Sequence, residues 1–203
     1  VATPEGYARN PELVINFYNE RRKQLLDVVP NAGHLGVADL ERDFNVTVVT
    51  QNVDNLHERA GSTHVIHLHG ELTKVCSSRD PYNPHFVKEL APEEYEVKLG
   101  DKAGDGTQLR PFIVWFGESV PEIETAIRYV EQADIFVIIG TSLNVYPAAG
   151  LLNYVPRAAE VYLIDPKPVD THVMRPIHVI QKGASEGVKE LKALLAATQP
   201  PLP

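Results

Sequence analysis

Residues 134–140 read DIFVIIG, a short apolar run bounded by aspartate and glycine. Three further runs of strand length have the same character: VTVVT at 46–50, FIVWFG at 112–117 and VYLID at 161–165. Continuous apolar runs of this length are typical of strands in a parallel sheet that is covered on both faces. The four runs therefore predict the core of an α/β fold.

Helical patterns lie before and between these runs. Apolar residues recur at helical spacing in 11–29, and a second pattern covers 31–44, where the first residue is an asparagine that can cap the helix. Further helical patterns occupy 121–133, 147–155 and 185–197. The alternation predicts an α/β, doubly wound, Rossmann-like domain with a mostly parallel sheet, which binds ligands beyond the carboxyl ends of its strands.

The segment 71–110 interrupts the alternation. It is rich in charge, proline and glycine, and it contains no long apolar run. We predict that it forms a small inserted module. The Rossmann-like domain would then consist of 1–70, which includes the helical segment 11–44, together with 111–203.

Composition restricts the classes of function. The 203 residues carry a formal net charge of −8, which disfavours nucleic acid or an anionic membrane as a partner. The apolar runs are far shorter than a membrane-spanning helix requires. The one cysteine, Cys76, cannot form an internal disulfide, so we predict a reducing, cytoplasmic location. The oligomeric state does not follow from the sequence.

Polar residues follow the first strand-like run. Gln51, Asn52 and Asp54 lie directly after VTVVT. At the carboxyl end of a strand such side chains can bind a sugar or an amide, or orient a water molecule. An ordinary polar loop with an Asx turn is an equally good interpretation of these residues alone.

Gly140, Thr141 and Ser142 follow the apolar run DIFVII in the same way. A glycine at this point permits close approach of a ligand to the backbone, and the two hydroxyl residues stand near the next helix start. The same three residues also form routine turns. The sequence contains no G-x-G-x-x-G fingerprint of the usual dinucleotide-binding type.

The stretch VIHLHGELTKVC at 65–76 holds His67, His69 and Cys76. In a strand the two histidines would point to the same face. A metal site, a catalytic histidine and a strand end with a structural histidine are all open interpretations. Metal is the weakest of the three, because structural zinc usually binds paired Cys-x-x-Cys motifs and the chain has a single cysteine.

Four motifs in a fixed order resemble those of one family. They are TQNVDNLHERAG at 50–61, HLHGEL at 67–72, LRPFIVWFGE at 109–118 and GTSLNVYPAAGL at 140–151. Together they resemble the sirtuin family of NAD-dependent protein-lysine deacylases, and the resemblance spans essentially the whole chain. It implies NAD as the cofactor and acylated-lysine proteins or peptides as substrates. The products would be deacylated lysine, nicotinamide and O-acyl-ADP-ribose.

The resemblance also implies a role for each matching residue. His69 would be the general base, with Asn52 and Asp54 as further catalytic residues. NAD would be bound by Gln51, Asn52, Asp54, Gly140, Thr141, Ser142, Asp165, Lys167 and Ala184. The substrate peptide would add as a strand along Val114, Trp115, Phe116, Gly117, Glu118 and Val145.

A tyrosine and an arginine indicate the acyl group. Tyr18 and Arg21 are three residues apart and share one helix face. They resemble the Tyr-x-x-Arg pair of sirtuins that prefer acidic acyl groups such as succinyl or malonyl, with acetyl as a further substrate. Guanidinium can clamp a carboxylate through two hydrogen bonds, and a phenol can add a third. The alternative is an ordinary exposed pair, with Arg22 equally available.

The chain departs from the family pattern in two places. The four zinc cysteines are reduced to Cys76, so we expect no metal in the segment 71–110. The Gly-Ala-Gly-x-Ser segment that binds the NAD phosphates does not precede VATPEGY in the given sequence. We expect this segment to have been lost or truncated, so that these 203 residues lack part of the NAD site and the first βα unit.

Two other classes of function remain as alternatives. A non-catalytic module could bind ADP-ribose-like nucleotides or acylated peptides through the same residues. A metal hydrolase could use His67, His69 and Cys76. Retention of His69, Asn52 and Asp54 favours the enzyme.

Overall fold

Helices and strands alternate along the chain. The computed structural model describes residues 1–141, 148–168 and 175–198. Its α-helices are α1 (Pro4–Arg9), α2 (Pro11–Leu25), α3 (Ala32–Asp39), α4 (Leu56–Ala60), α5 (Ile123–Val130), α6 (Ala148–Leu151) and α7 (Ala184–Thr198). Its strands are β1 (Val48–Thr50), β2 (Val65–His67), β3 (Gly70–Ser77), β4 (Lys88–Glu89), β5 (Leu109–Ile113), β6 (Ile135–Ile139), β7 (Glu160–Ile164) and β8 (His178–Ile180).

The apolar run that decided the fold forms β6 of a parallel sheet. The strand order is β6-β7-β8, and both neighbouring pairs are parallel. Ile139 lies opposite Ile164, and Ile164 lies opposite Ile180, so the three strands end side by side. The predicted α/β fold class is confirmed, and this common end is the carboxyl edge where ligands bind in such folds.

Helix α7 packs closely on this sheet. A Cβ atom at Gly187 would lie 2.2 Å from the Cγ2 atom of Ile164 on β7, so only glycine permits this approach. Ile164, Val188 and Leu191 belong to one buried apolar cluster. The amphipathic pattern predicted at 185–197 therefore forms the helix that covers one side of the sheet.

The apolar run at 112–117 does not behave as predicted. Its first residues end β5, which pairs antiparallel with β3 in a second sheet of order β4-β3-β5. The expectation that this run is a parallel core strand is therefore wrong. The chain leaves the sheet after Ile113, and Gly117 has a φ of +90°. A run that is apolar on both faces fits either a covered parallel strand or a covered antiparallel strand, so sequence alone did not distinguish them.

Local signals set the starts of the N-terminal helices. The Asn10 side chain accepts a hydrogen bond from the Leu13 backbone N–H, and Pro11 occupies the first helical position of α2. Asn31 caps α3 as predicted, and the His34 side chain returns a bond to its backbone N–H. Both helices end four or five residues before the predicted boundaries at 29 and 44. Apolar spacing continues past each end, so periodicity alone overestimated their length.

The chain forms two compact units. The first contains Val1–Val29, Val49–Asn55 and His67–Glu122, and the second contains Pro30–Val48, Leu56–Ile66 and Ile123–Pro203. This grouping differs from the predicted boundaries, because the N-terminal helices α1 and α2 belong with the segment predicted as an inserted module. Within the described residues, no helix is long and apolar enough to cross a membrane.

Candidate active site

His69 lies at the junction between β2 and β3. Its backbone carbonyl accepts a hydrogen bond of 2.9 Å from the backbone N–H of Val114, which fixes the junction against the end of β5. The side chain is half-buried, and this burial lowers the pKa of His69 below the ordinary value of 6.5. A neutral, partly accessible imidazole is the form that can accept a proton in catalysis.

Gly70 gives the junction its shape. Its φ is +88°, and a Cβ atom at this position would lie 2.1 Å from the carbonyl oxygen of Phe112. An L-residue with a side chain can satisfy neither condition without strain. The backbone at this position therefore requires glycine, and this conformation holds His69 beside β5.

The loop after β1 runs beside this junction. The Thr50 carbonyl accepts a bond from the Leu68 N–H at 3.0 Å, and the Val53 carbonyl accepts one from the Leu72 N–H at 2.8 Å. These two bonds attach the loop that carries Asn52 to the chain just before and just after His69. Gln51 and Asp54 lie in the same loop, and both residues are half-buried and engaged in interactions.

His67 has a different environment from His69. It is buried, and its Nδ1 atom lies 3.1 Å from the Asn52 carbonyl oxygen while Nε2 lies 3.9 Å from a carboxylate oxygen of Glu71. The first contact attaches the β2 strand to the Asn52 loop. His67 therefore supports the site, which fits the interpretation as a structural histidine.

The predicted peptide groove contains two kinds of residue. Phe116 is 79% exposed and Gly117 is also exposed, so both can meet a substrate. Trp115 is only 2% exposed, and Glu118 forms a two-bond ion pair with Arg110. Trp115 and Glu118 are therefore engaged within the fold, while the half-buried Val114 donates its backbone N–H to the His69 carbonyl.

Helix α2 carries the predicted acyl-recognition pair. Tyr18 is buried, and its hydroxyl oxygen accepts a hydrogen bond of 3.0 Å from the indole N–H of Trp115. Arg21 is exposed, and its guanidinium stacks over the Phe17 ring at 4.8 Å and donates to Gln24 at 3.2 Å. Phe17 also contacts the Tyr18 ring edge to face at 5.1 Å, so the two predicted residues share one aromatic neighbour.

Arg22 is not equivalent to Arg21, contrary to the expectation that either was available. Its side chain is buried and donates to the carbonyl of Tyr95 at 2.7 Å and to the Asn19 side chain at 2.6 Å. These contacts join α2 to the segment around Tyr95. Helical spacing alone could not separate adjacent arginines by their burial.

The second unit places predicted NAD contacts at the carboxyl edge of its parallel sheet. Gly140 directly follows β6, has a φ of +68°, and donates its N–H to the Ile164 carbonyl at 3.0 Å. Asp165 directly follows β7, donates its N–H to the Ile180 carbonyl, and accepts a bond from the Lys167 N–H at 2.8 Å. The structure thus brings Gly140 and Asp165 to adjacent strand ends.

The remaining predicted contacts are partly described. Ala184 is the first residue of α7, shortly after β8 ends. Thr141 is half-buried and has a polar or ring contact of its own. Ser142 and Val145 lie outside the described residues. At Gly140 the space around a Cβ position is open, so a ligand can approach the backbone closely. The acidic side chain of Asp165 lies at the next strand end, and both features fit the binding of a nucleotide.

The residues near Cys76 do not fit a zinc site. The thiol is fully buried, lies 3.7 Å from the Pro111 carbonyl, and has a pKa raised to about 12 by burial. Zinc binds the thiolate form, which this environment opposes. The neighbouring Ser77 is instead engaged with Asp105 at 2.5 Å and with Thr107 at 3.0 Å, through hydroxyl and carboxylate groups.

Sequence reasoning assigned no role to two groups that organise the first unit. Arg110 belongs to the LRPFIVWFGE motif without a predicted role, yet it is buried and its guanidinium donates to the Glu118 carboxylate. Ser77 and Asp105 lie in a segment that the sequence marks only as rich in charge, proline and glycine, yet a hydrogen bond between them links distant parts of this unit. Hydrophobic periodicity does not predict that an arginine is buried. The one available signal was Glu118, a possible ion-pair partner eight residues after Arg110 in the same motif.

The fold and the site together indicate a class of protein. A doubly wound α/β chain with glycine and aspartate at neighbouring carboxyl strand ends is typical of Rossmann-like proteins that bind a nucleotide. The half-buried histidine at the β2–β3 junction adds a group capable of proton transfer.

Comparisons with known proteins narrow the class to a family. The model of the Sir2 family matches residues 1–147. An NAD-dependent protein deacylase of Bacteroides thetaiotaomicron is 83% identical over 195 residues, which cover 96% of this chain and 83% of that protein. The chain therefore belongs to the Sir2 family, as the resemblance to sirtuins indicated.

Solved structures agree with this membership. The crystal structure of a Sir2 homologue–NAD complex matches with a TM-score of 0.80 and 35% identity, covering 98% of this chain and 77% of that one. A complex of Sir2 with a p53 peptide and NAD⁺ matches with a TM-score of 0.77 and 25% identity, covering 98% and 83% of the two chains.

Proposed function

We propose that this chain is an NAD-dependent protein deacylase that removes succinyl or malonyl groups, and also acetyl groups, from lysine side chains. The deacylase class rests on membership of the Sir2 family and on the relative of that name at 83% identity. The observation that carries the mechanism is the half-buried His69, held beside the Asn52 loop with a lowered pKa. The choice of acyl group rests on Tyr18 and Arg21.

NAD, when bound, supplies the ribose to which the acyl group is transferred. Gln51, Asn52 and Asp54 would hold its nicotinamide side. Gly140, Thr141, Ser142, Asp165, Lys167 and Ala184 would hold its adenosine side. His69 would take up a proton at an imidazole nitrogen, because burial lowers its pKa and so favours the neutral ring that can accept one.

The substrate peptide would lie along the segment after β5. Phe116 and Gly117 are exposed, whereas Trp115 and Glu118 keep this segment in position. A peptide that adds as an extended strand gains backbone hydrogen bonds that do not depend on its sequence. This would suit an enzyme that reads the acyl-lysine more closely than the residues around it.

The acyl carboxylate would be bound from helix α2. Arg21 is exposed, and its guanidinium contacts Phe17 and Gln24 of the same helix, so it can turn toward a carboxylate. Tyr18 uses its oxygen to accept the Trp115 bond, so its hydroxyl hydrogen can be donated. The charge-assisted contact with Arg21 would supply most of the discrimination between succinyl and acetyl groups.

A first test measures catalysis by His69. With the protein expressed from its complete gene, NAD-dependent nicotinamide release from an acyl-lysine peptide should fall about 10²- to 10⁴-fold in His69→Ala. His85→Ala, in an exposed position, is the matched control and should retain activity. The acid limb of kcat/KM should lie below pH 6.5, since burial lowers the pKa of His69. Full turnover by His69→Ala would contradict the assignment of the base.

A second test measures acyl preference. Arg21→Gln should lower kcat/KM for a succinyl-lysine peptide by about tenfold or more, because one charge-assisted hydrogen bond contributes about 1.5–3 kcal/mol. The matched acetyl-lysine peptide should be much less affected. Lys23→Gln removes an exposed charge from the same helix and serves as the control. Equal losses for both peptides would exclude Arg21 as the carboxylate-binding residue.

The non-catalytic alternative gives a different result in these assays. A non-catalytic module would bind NAD or ADP-ribose in a calorimetric titration and release no nicotinamide with any peptide.

We further propose a cytoplasmic location, on the basis of the single cysteine and its buried, unreactive thiol.

A further inference from the structure

Trp115 is fixed from several directions within the first unit. Its backbone N–H donates to a Glu118 carboxylate oxygen at 2.8 Å. The guanidinium of Arg110 lies 3.8 Å above its ring, and the ring centroid of Tyr7 lies 5.4 Å away. The side chain is 2% exposed, so the indole has little freedom to move.

The group above the indole is itself held firmly. Arg110 donates two hydrogen bonds to Glu118, at 3.0 and 3.1 Å, and a third to the Ile113 carbonyl at 2.8 Å. Tyr82 donates a further bond to the Glu118 carboxylate at 3.1 Å. A buried, two-bond arginine–carboxylate pair has a defined geometry. The indole therefore packs against a rigid surface.

The indole N–H points at the predicted acyl-recognition tyrosine. It donates to the Tyr18 hydroxyl oxygen at 3.0 Å. An indole can only donate, so the hydroxyl must act as acceptor in this contact and turn its hydrogen elsewhere. Accepting one hydrogen bond also polarises the O–H group and strengthens its next donation. Burial raises the pKa of Tyr18, which keeps the phenol protonated.

We propose that Trp115 is a specificity-determining positioning residue, whose indole N–H orients the Tyr18 hydroxyl to donate its hydrogen to the carboxylate of an acidic acyl group. The Arg110–Glu118 pair fixes the indole for this purpose. This inference rests on the proposed acyl-carboxylate role of Tyr18. It gives Trp115 a role other than peptide binding, in keeping with its burial behind the groove.

The test is a double-mutant cycle on acyl preference. In the protein from its complete gene, kcat/KM is measured with succinyl-lysine and acetyl-lysine forms of one peptide at saturating NAD. Trp115→Phe keeps an aromatic ring under Arg110 and removes the N–H donor. It should lower the succinyl-to-acetyl ratio about three- to tenfold, chiefly through KM for the succinyl peptide. In a Tyr18→Phe background the same substitution should leave the ratio unchanged.

Controls separate positioning from general damage. Tyr7→Phe removes a hydroxyl from another ring that packs against Trp115, and should leave the ratio as it is. If Trp115→Phe lowers stability, site-directed Trp115→benzothienylalanine retains the shape of the indole and lacks its N–H.

The outcomes distinguish this inference from the function on which it rests. An unchanged ratio in the Trp115 variants, or an equal loss in the wild-type and Tyr18→Phe backgrounds, overturns the positioning role alone. An unchanged ratio in Tyr18→Phe itself overturns both the positioning role and the acyl-carboxylate role of Tyr18.

Discussion

At the scale of single residues, the position after the proposed base His69 accepts only glycine without strain. Gly70 combines a left-handed φ with a carbonyl oxygen 2.1 Å from the position of a Cβ atom. A side chain would push β3 away from β5 and carry the His69 junction with it. In the His-Gly pair, His69 is the proposed base and Gly70 permits the backbone conformation that holds it in place.

Gly70→Ala should lower the free energy of unfolding by about 3 kcal/mol, of which about 1–2 kcal/mol is left-handed strain and the rest is overpacking. Gly100→Ala is the matched control, because Gly100 has a φ of +99° and nothing within 4 Å of a Cβ position. Urea unfolding followed by circular dichroism measures both variants. Equal destabilisation would show that the Phe112 carbonyl does not restrict this position.

At the scale of elements, the β3–β5 sheet is held at its far end by polar side chains. Ser77, at the end of β3, bonds Asp105 and Thr107, and its hydroxyl accepts the backbone N–H groups of Arg79 and Asp80. Ser77 is fully buried, so these bonds are shielded from water. The network therefore links the end of β3 to Asp105 and Thr107 through hydroxyl and carboxylate groups.

This network predicts a dependence of stability on pH. Hydrogen bonds from Ser77 and then from Thr107 lower the pKa of Asp105 below its ordinary value of 3.8. A carboxylate whose pKa is lower in the folded state stabilises the fold above the unfolded pKa, and this contribution is lost as the pH falls through the folded value. Asp105→Asn should therefore lower Tm near neutral pH.

The difference in Tm between Asp105→Asn and the wild type should shrink on acidification from about pH 6 to about pH 3, as measured by thermal melts. Asp101→Asn is the control in the same segment, where the carboxylate accepts the Lys98 backbone N–H at 2.8 Å. A difference that is constant over this range would indicate that the Asp105 charge does not contribute.

At the scale of the whole molecule, each unit has a buried apolar core of its own. In the second unit, Val37, Tyr162, Ile164, Ile180, Val188, Leu191 and Leu195 form one cluster. In the first unit, Ile15, Val75 and Val97 form another, with Tyr7, Leu90 and Leu109 packed around it. Helix α2 of the N-terminal segment thus contributes to the core of the first unit.

Leu191→Ala should destabilise the protein by about 2–5 kcal/mol, because it removes a side chain that is 1% exposed and leaves a cavity between α7 and the parallel sheet. Leu194→Ala, on the same helix at 41% exposure, should change stability by less than about 0.5 kcal/mol. Chemical denaturation compares the two. Similar losses would mean that α7 does not pack on the sheet through Leu191.

Signals in the sequence were enough to predict the α/β class, the Asn31 cap of α3 and the family. Each depends on local or ordered signals: the apolar run at 134–140, Asn31 before α3, and four motifs in sequence. The roles assigned to the individual site residues stay predictions, and the tests above address His69 and Arg21.

Only the tertiary structure decided which chemically similar residues are buried. It separated exposed Arg21 from buried Arg22, showed Trp115 to be buried, and paired β5 antiparallel with β3. The physical reason is that burial, strand direction and hydrogen-bond partners depend on residues distant in the chain. Tyr18 and Trp115 are 97 residues apart, yet one hydrogen bond joins them.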